Sequence, residues 1–483
     1  MTLAGGNRCG RAYLYGMNPD VTPDLRPKIG LLSAIIFVIS SVVGTGVFKK
    51  VVPMSAELGS PTLVLLAWLI AGLVSLAGTL SNAEVASMLA SEGGEYSYFR
   101  VIYNRFFAFL FGWTNFTVIR TASTASIAYV FAQSVNSLLP LPGTPASWAD
   151  LNLFGLHPFA NSSVKILAIA LVWGQTAFNI RGLKTGEAIS RFLTAIMIAV
   201  MLGFIVFGLL SGVGSLENLK PVDTGLSGGS LMSALALACL SAFWPYEGWA
   251  ALGYIGGEIK NPSRNLPWAL TVGTLSIIGL YLLMNLVYLY VMPVQDLAAL
   301  KSNPNSIAAV SVAGLLGGPN GSLLLSCLLL VTTFNCCSIT ILTSSRLFYA
   351  MSKDGQFSRR INYLHPVFKT PSRSLLLQAV WTTVMVLSGS FDTLTDMLIF
   401  AAFLFYGATT VGVFVLRRRM PDAPRPYRVV GYPVVPALFI AFCAYLIINT
   451  LLNRPSEALV SLGLMATGIP FYFYWKKRAI PPA

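Results

Sequence analysis

Charge is what this sequence has least of. Only 10% of its 483 residues are Asp, Glu, Lys or Arg, against about 25% in a soluble globular domain. Hydrophobic residues make up 55% and the mean hydropathy is +0.70, which excludes an ordinary soluble enzyme or binding module. Histidine is almost missing: His157 and His365 lie in loops on opposite sides of the membrane, so a zinc site or His-based catalytic pair has no material. The six cysteines are Cys9, Cys239, Cys327, Cys336, Cys337 and Cys443. Five fall in apolar runs without metal-ligand spacing and read as small hydrophobes. No metal and no cofactor are expected. Long polar segments are lacking too. The longest, 27 residues at the N-terminus and 26 after the third apolar run, fall short of the roughly 50 a domain needs. The opening 27 residues hold no apolar stretch of the kind a signal peptide uses.

What the chain has is apolar runs. A helix of about 20 apolar residues crosses a bilayer core, and twelve such runs are legible: 29–51, 61–89, 98–136, 163–180, 187–212, 230–258, 266–292, 321–350, 374–389, 393–416, 433–452 and 457–475. The fold class expected is an all-α polytopic membrane protein. The net charge of +14 follows from loop topology. About 25 of the 32 Lys and Arg residues fall on one side, among them Arg8, Arg11, Arg26, Lys28, Arg181, Lys184, Arg359, Arg360, "LRRRMPDAPRPYR" and "WKKR". Lys165, Lys220, Lys301 and Arg454 fall on the other. This asymmetry puts both termini in the cytoplasm of a multi-pass protein of the cell (inner) membrane, and nucleic-acid binding is not expected.

Two runs are interrupted. The first reads "IIFVISSVVGTGVFKK", with Gly44-Thr45-Gly46 near its middle, and the sixth contains "FWPYEGW", residues 243–249. A single Gly or Pro in a membrane helix is ordinarily a kink or a packing contact. Interruptions at corresponding places in two halves point instead to a transporter site. Runs 1 and 6 correspond if runs 1–5 and 6–10 are repeats. An unwound turn frees N–H groups on one side and carbonyls on the other, attracting an anion and a cation respectively. An α-amino acid carries both on one carbon.

"SSVVGTGVF", "SEGGEYSYF", "FWPYEGWAALGYIGGEIKNPSRNLP", "TSSRLFYAMSKDGQF" and "FYGATTVGVFVLRRRMPDAPRPYRVVGYPVVP" occur in unbroken order between about residue 28 and about residue 440. Together they resemble the amino acid–polyamine–organocation superfamily, and within it the bacterial relatives of the L-type amino acid transporters. The resemblance implies the five-plus-five inverted repeat also seen in LeuT, with two further helices. On that reading residues 1–27 are a cytoplasmic tail, 28–212 the first repeat with its break near 43–47, and 229–419 the second with its break near 243–249. Residues 433–476 are the last two spans and 477–483 a cytoplasmic C-terminus.

Carried over by motif, a substrate carboxylate would meet the amides of Thr45, Gly46 and Val47. Its ammonium would meet carbonyls of Val42, Trp244 and Glu247. Trp244 falls where the family places an aromatic that closes over the substrate, a gating role. Ile127 and Phe403 would complete the side-chain pocket. Three roles stand open for Glu247: an anion at the N-terminus of the next helix, a partner for the substrate ammonium or a cationic substrate, and a proton carrier. Many relatives place a lysine in the fifth span, bridging spans 1 and 8. Here "SRFLTAIMIAVM" puts Ile196 there, while Lys184 and Arg191 lie too early. The eighth span offers the hydroxyls of Ser338 and Thr340, so the coupling ion is open between proton, sodium and none.

Arg120 reads as a helix-tethering ion pair. Glu84 and Glu258, with Arg346 and Arg264, read either as a cytoplasmic ion-pair gate or as a solvated face. "NSS" at 161–163 is a glycosylation sequon only in a eukaryotic host. The expected function is alternating-access transport of small α-amino acids, as an exchanger or proton-coupled symporter, with no enzyme chemistry. Carriage of polyamines or cationic amines is the alternative, and a non-transporting membrane sensor a more distant one. Mammalian L-type transporters join a glycoprotein through a cysteine in the loop after span 3. The corresponding loop, "LPLPGTPASWADLNLFGLHPFANSS", has none. The expected partners are therefore an amino acid and the lipid bilayer, without a disulfide-linked heavy subunit, in a monomer or weak homodimer.

Overall fold

The structure is a computed structural model, and it describes residues 29–89, 94–145, 158–181, 187–249, 252, 259–368 and 370–478. The N-terminal tail, His157, Lys184 and Glu258 lie outside the described residues.

The chain is built from helices. The first half comprises α1 (Leu31–Val42), a 3-10 turn (Gly46–Phe48), α2 (Val51–Leu58), α3 (Pro61–Met88), α4 (Glu95–Ile102), α5 (Arg105–Thr114), a π turn (Asn115–Ile119), α6 (Arg120–Leu138), α7 (Ser162–Ile180) and α8 (Glu187–Leu210). The second comprises α9 (Gly228–Tyr246), α10 (Pro262–Val291), α11 (Val294–Ala299), α12 (Ala308–Lys353), α13 (Ser372–Ser388), α14 (Phe391–Arg419), α15 (Val434–Asn453), α16 (Pro455–Ala466) and α17 (Gly468–Arg478). The one β-type pairing among the described residues is a bridge between Ile29 and Ile259, which joins the lead-in to α1 with the lead-in to α10.

Nine helical stretches among the described residues are long and apolar enough to cross a membrane. The other three runs of the sequence take a different form, each for a local reason. Run 1 is divided at Val43, where ψ swings to 106° and helical bonding stops. It resumes as α2 and ends at Leu58, well past the expected end at residue 51. Run 3 is expected to start at residue 98. Its continuous part instead begins at Arg105, because the Asn104 side chain caps α5 by accepting from the Phe107 amide at 2.9 Å. Run 9 is a helix of only 17 residues. The 46-residue α12 is two helices, divided at Gly317 and Gly318, and the division falls just before the expected start of span 8.

Packing places α14 at the centre, against α3, α6, α9, α15 and α16. Its long buried face explains why nearly three-quarters of its apolar window is covered. α10 lies across α1 and α3, and α12 lies along α6. α6 can take this position because Thr121 to Ser126 are all small and all buried. Two of their hydroxyls are satisfied locally, Thr121 and Thr124 donating to the carbonyls of Phe116 and Arg120 at 2.9 and 2.8 Å, while the Ser126 hydroxyl is buried without a partner.

Candidate substrate site

The last helical bond of α1 runs from the Val43 amide to Ile39 O, at 2.8 Å. Gly44 and Thr45 then cross to the 3-10 turn without helical bonding. Among the described residues, no backbone carbonyl accepts from the amides of Thr45, Gly46 or Val47. All three residues are buried, and the Thr45 hydroxyl is buried without a hydrogen-bond partner. Buried donors left this way cost about 1–3 kcal/mol each, so the turn is poised for an acceptor.

The second break falls in the later part of the 243–249 stretch. Helix α9 holds through Phe243, Trp244 and Tyr246, even with Pro245 in its last turn. It ends at Glu247, which is extended (ψ 148°), and at Gly248, whose φ is +117°. That φ suits glycine, and a β-carbon at Gly248 would stand 2.2 Å from Ser41 O. A β-carbon at Gly46 would stand 2.6 Å from Pro245 Cγ and 2.7 Å from the Trp244 ring. The breaks therefore touch backbone to backbone, which only glycine permits at these two places. Tyr281 of α10 pins them from behind, its hydroxyl hydrogen-bonded to Val42 O at 3.2 Å and Pro245 O at 3.0 Å. The Trp244 carbonyl, expected to face an ammonium, accepts from the Glu247 amide at 3.1 Å. A second lone pair remains for a further donor.

Around the breaks, Trp244 is buried and edge-on to Phe391 at 5.2 Å. Phe403 packs on Phe243 at 4.3 Å and lines a small cavity with Glu247, Trp249 and Tyr406. The Tyr406 hydroxyl donates to Glu247 Oε1 at 3.2 Å. A second cavity, sharing Glu247 and Tyr406 with the first, is lined by Glu95, Asn115 and Arg120. Ile127 is buried on α6 and lines neither of these two cavities.

The proposed ion region differs from the expectation. Ile196 is 37% exposed on α8, and the buried face of that helix is Met197, Met201 and Ile205. The residue matched to the relatives' bridging lysine thus turns toward the outer surface. Ser338 accepts from Asn179 Nδ2 at 3.2 Å, and Thr340 donates to Cys336 O at 2.9 Å. Both hydroxyls are already engaged. Among the described residues no His, Cys, Asp and Glu group could hold a metal ion.

Two ion-pair clusters are not apparent from the sequence alone. Lys49 and Lys50 come directly after the first break, where run 1 reads as leaving the membrane. Both are instead buried. Lys50 Nζ donates to Asp392 Oδ1 at 2.8 Å and Thr395 Oγ1 at 2.6 Å, with Asp396 Oδ1 at 3.7 Å. Lys49 Nζ donates to Gln133 Oε1 at 2.7 Å and Pro304 O at 3.0 Å. Both ammoniums sit over the Phe391 ring, at 4.7 and 5.0 Å. The carboxylates of "FDTLTD", four residues apart on one helical face, were the available signal. At the far end of α14, Glu84 takes Arg417 in a bidentate pair at 2.8 and 2.7 Å and accepts from the Val429 amide at 2.7 Å, with Arg425 Nε at 3.7 Å. Its partners are therefore on α14 and the segment after it, rather than Arg346 and Arg264, which are exposed. Glu57 and Arg454 form a further pair between α2 and the start of α16.

Residues 29–473 match the family described as "Amino acid permease". The chain is 30% identical over 456 residues to the serine/threonine exchanger SteT of Bacillus subtilis (strain 168), covering 94% of this chain and 98% of that one. It is 28% identical over 457 residues to the b(0,+)-type amino acid transporter 1 of Homo sapiens, covering 94% and 88%. It is 29% identical over 468 residues to the large neutral amino acids transporter small subunit 2 of Homo sapiens, covering 94% and 82%. With a family match across nearly the whole chain and this helical architecture around two facing breaks, the protein belongs to the amino acid permease family of the amino acid–polyamine–organocation superfamily.

Proposed function

We propose that this protein carries a small α-amino acid across the membrane by alternating access, with the substrate held between the two breaks. One observation carries the reading: a buried turn with unsatisfied amides at Thr45, Gly46 and Val47, and an orphaned Thr45 hydroxyl, lies against the end of α9. The carboxylate takes those amides. The ammonium faces the carbonyls of Val42, Trp244 and Glu247. Trp244, wedged between Gly46 and Phe391, closes the site on the face that carries Lys49 and Lys50. Phe403 borders the substrate side chain, with Ile127 further off on α6. The breaks belong to corresponding spans of the 28–212 and 229–419 repeats. The face with Glu84, Arg417 and Arg425 is the cytoplasmic one, in agreement with the clustering of positive charge there, and the membrane is the cell (inner) membrane.

The protein makes and breaks no covalent bond in this cycle. It works without a disulfide-linked subunit, since the loop after span 3 has no cysteine, and it functions as a monomer or weak homodimer. Similarity to exchangers and transporters of amino acids supports an amino acid as cargo. The test is reconstitution in liposomes with all twenty labelled amino acids, with and without internal amino acid, sodium or a pH step. Uptake of one or several, accelerated by internal amino acid, is the expected result. Uptake of amines lacking a carboxylate, with no amino acid taken up, would overturn the assignment of the Thr45–Val47 amides.

A further inference from the structure

The second cavity lies behind Glu247, between α5–α6, α14 and the second break. It has room for about one water molecule, about 10 Å³. Among the described residues, its charged lining groups are Glu95, Glu247 and Arg120, and its polar ones Asn115 and Tyr406. Two carboxylates against one guanidinium leave one negative charge over among these groups, at membrane depth, with Phe111, Ile119, Ala402 and Phe405 on the apolar side of the wall. Such a charge is expensive unless something compensates it.

Glu95 is buried, and its Oε1 accepts from Asn82 Nδ2 only at the long distance of 3.3 Å. Thr409 of α14 also faces it. Glu247 holds the Tyr406 hydroxyl and faces Cys336 of α12. The π turn Asn115–Ile119 brings Asn115, Ile119 and Arg120 to the cavity together. Turns of this kind inside membrane helices concentrate at functional sites.

We infer that this cavity carries one exchangeable proton, shared between Glu95 and Glu247, and that the proton leaves when the substrate ammonium arrives beside Glu247. The inference rests on the proposed orientation of the amino acid and extends it by naming what compensates the surplus charge when the site is empty. The balance is simple. An O–H bond on the carboxyl that holds the proton breaks, the proton passes through cavity water, and an O–H bond forms on water or buffer outside the protein. Nothing is oxidised or reduced. Proton and ammonium then compete for one charge, so substrate binds more weakly in acid.

The experiment uses the purified full-length protein. A thermal-shift screen of the twenty L-amino acids first selects a probe that binds. Affinity for that probe is then measured from about pH 5 to pH 8, and proton release on binding is followed in weak buffer. Wild type should lose affinity on acidification, by up to about tenfold per pH unit, and should release a proton over the same range. E95Q removes the surplus charge and should bind with pH-independent affinity, whereas E95D should keep the pH dependence. Wild-type affinity that stays flat with no proton released overturns the inference without needing any variant. E95Q retaining the wild-type profile overturns it as well. If no amino acid binds, the transport reading itself fails and this inference falls with it.

Discussion

The two breaks solve opposite problems with different residues. The first has no proline. α1 stops at Val43, Gly44 and Thr45 cross over, and the amides of Thr45 to Val47 are left presented. The second is shaped by Pro245, by the extended Glu247 and by Gly248 at positive φ, and it brings a carboxylate. The charges flanking the breaks are opposite too. Lys49 and Lys50 stand behind the amide side, and Glu247 with Glu95 behind the carbonyl side. The first break thus presents amide donors, with Lys49 and Lys50 nearby and Lys50 paired to Asp392 and Asp396, whereas the second presents a helix end and a carboxylate. A zwitterion has a group for each, and a symmetric amine does not.

The sharpest way to break this comparison is to separate the turns. Gly248→Ala forces a β-carbon onto Ser41 O at a positive φ. It should cost about 3 kcal/mol and cut uptake about a hundredfold in liposomes. Gly203→Ala is the matched control, because nothing lies within 4 Å of its β-carbon. It should leave uptake unchanged, with stability equal or raised by about 1 kcal/mol at most.

Removing the lysine behind the first break comes next. Lys50→Met strands Asp392 and Asp396 beside an apolar stem. Because Asp392 is half-exposed and only Asp396 is buried, about 1–3 kcal/mol of stability should be lost, measured by thermal unfolding in detergent. Adding D392N should restore part of it. At the other end of α14, Glu84→Gln should cost about 1–3 kcal/mol by leaving Arg417 half-satisfied, with substrate affinity untouched because Glu84 lies away from both breaks. Thr45→Ala tests the amide turn more gently. It should weaken substrate binding about fivefold, near 1 kcal/mol, and Thr45→Ser should recover most of that. The smallest effect belongs to Lys220→Ala. It removes an exposed pair with Glu217 and should shift unfolding by less than about 0.5 kcal/mol.

The apolar runs and the two interruptions are legible because bilayer thickness fixes the length of a span, and Gly or Pro at its middle is conspicuous. Exact limits are not. Pro245 alone does not end α9: it removes one N–H bond to the preceding turn, yet the chain stays helical through Tyr246 and departs only at Glu247 and Gly248. The roles of Lys49 and Lys50 are hidden because two lysines after an apolar run look like an exit from the membrane. Their partners are more than 80 residues away in sequence, and only the packing of α2 against its neighbours brings them together. The same holds for Glu84, whose Arg417 partner is 333 residues distant. Ile196 shows the reverse failure. Placing it by a single matched phenylalanine leaves the face of α8 undetermined, and a shift of one residue on a helix turns a side chain by about 100°.

The most direct test of the central claim is a structure determined with an amino acid bound. Its carboxylate should lie within hydrogen-bonding distance of the Thr45, Gly46 and Val47 amides, with the ammonium beside the end of α9 at Glu247. An amino acid found between α14 and α15, or bound with its carboxylate toward Glu247, would contradict this arrangement.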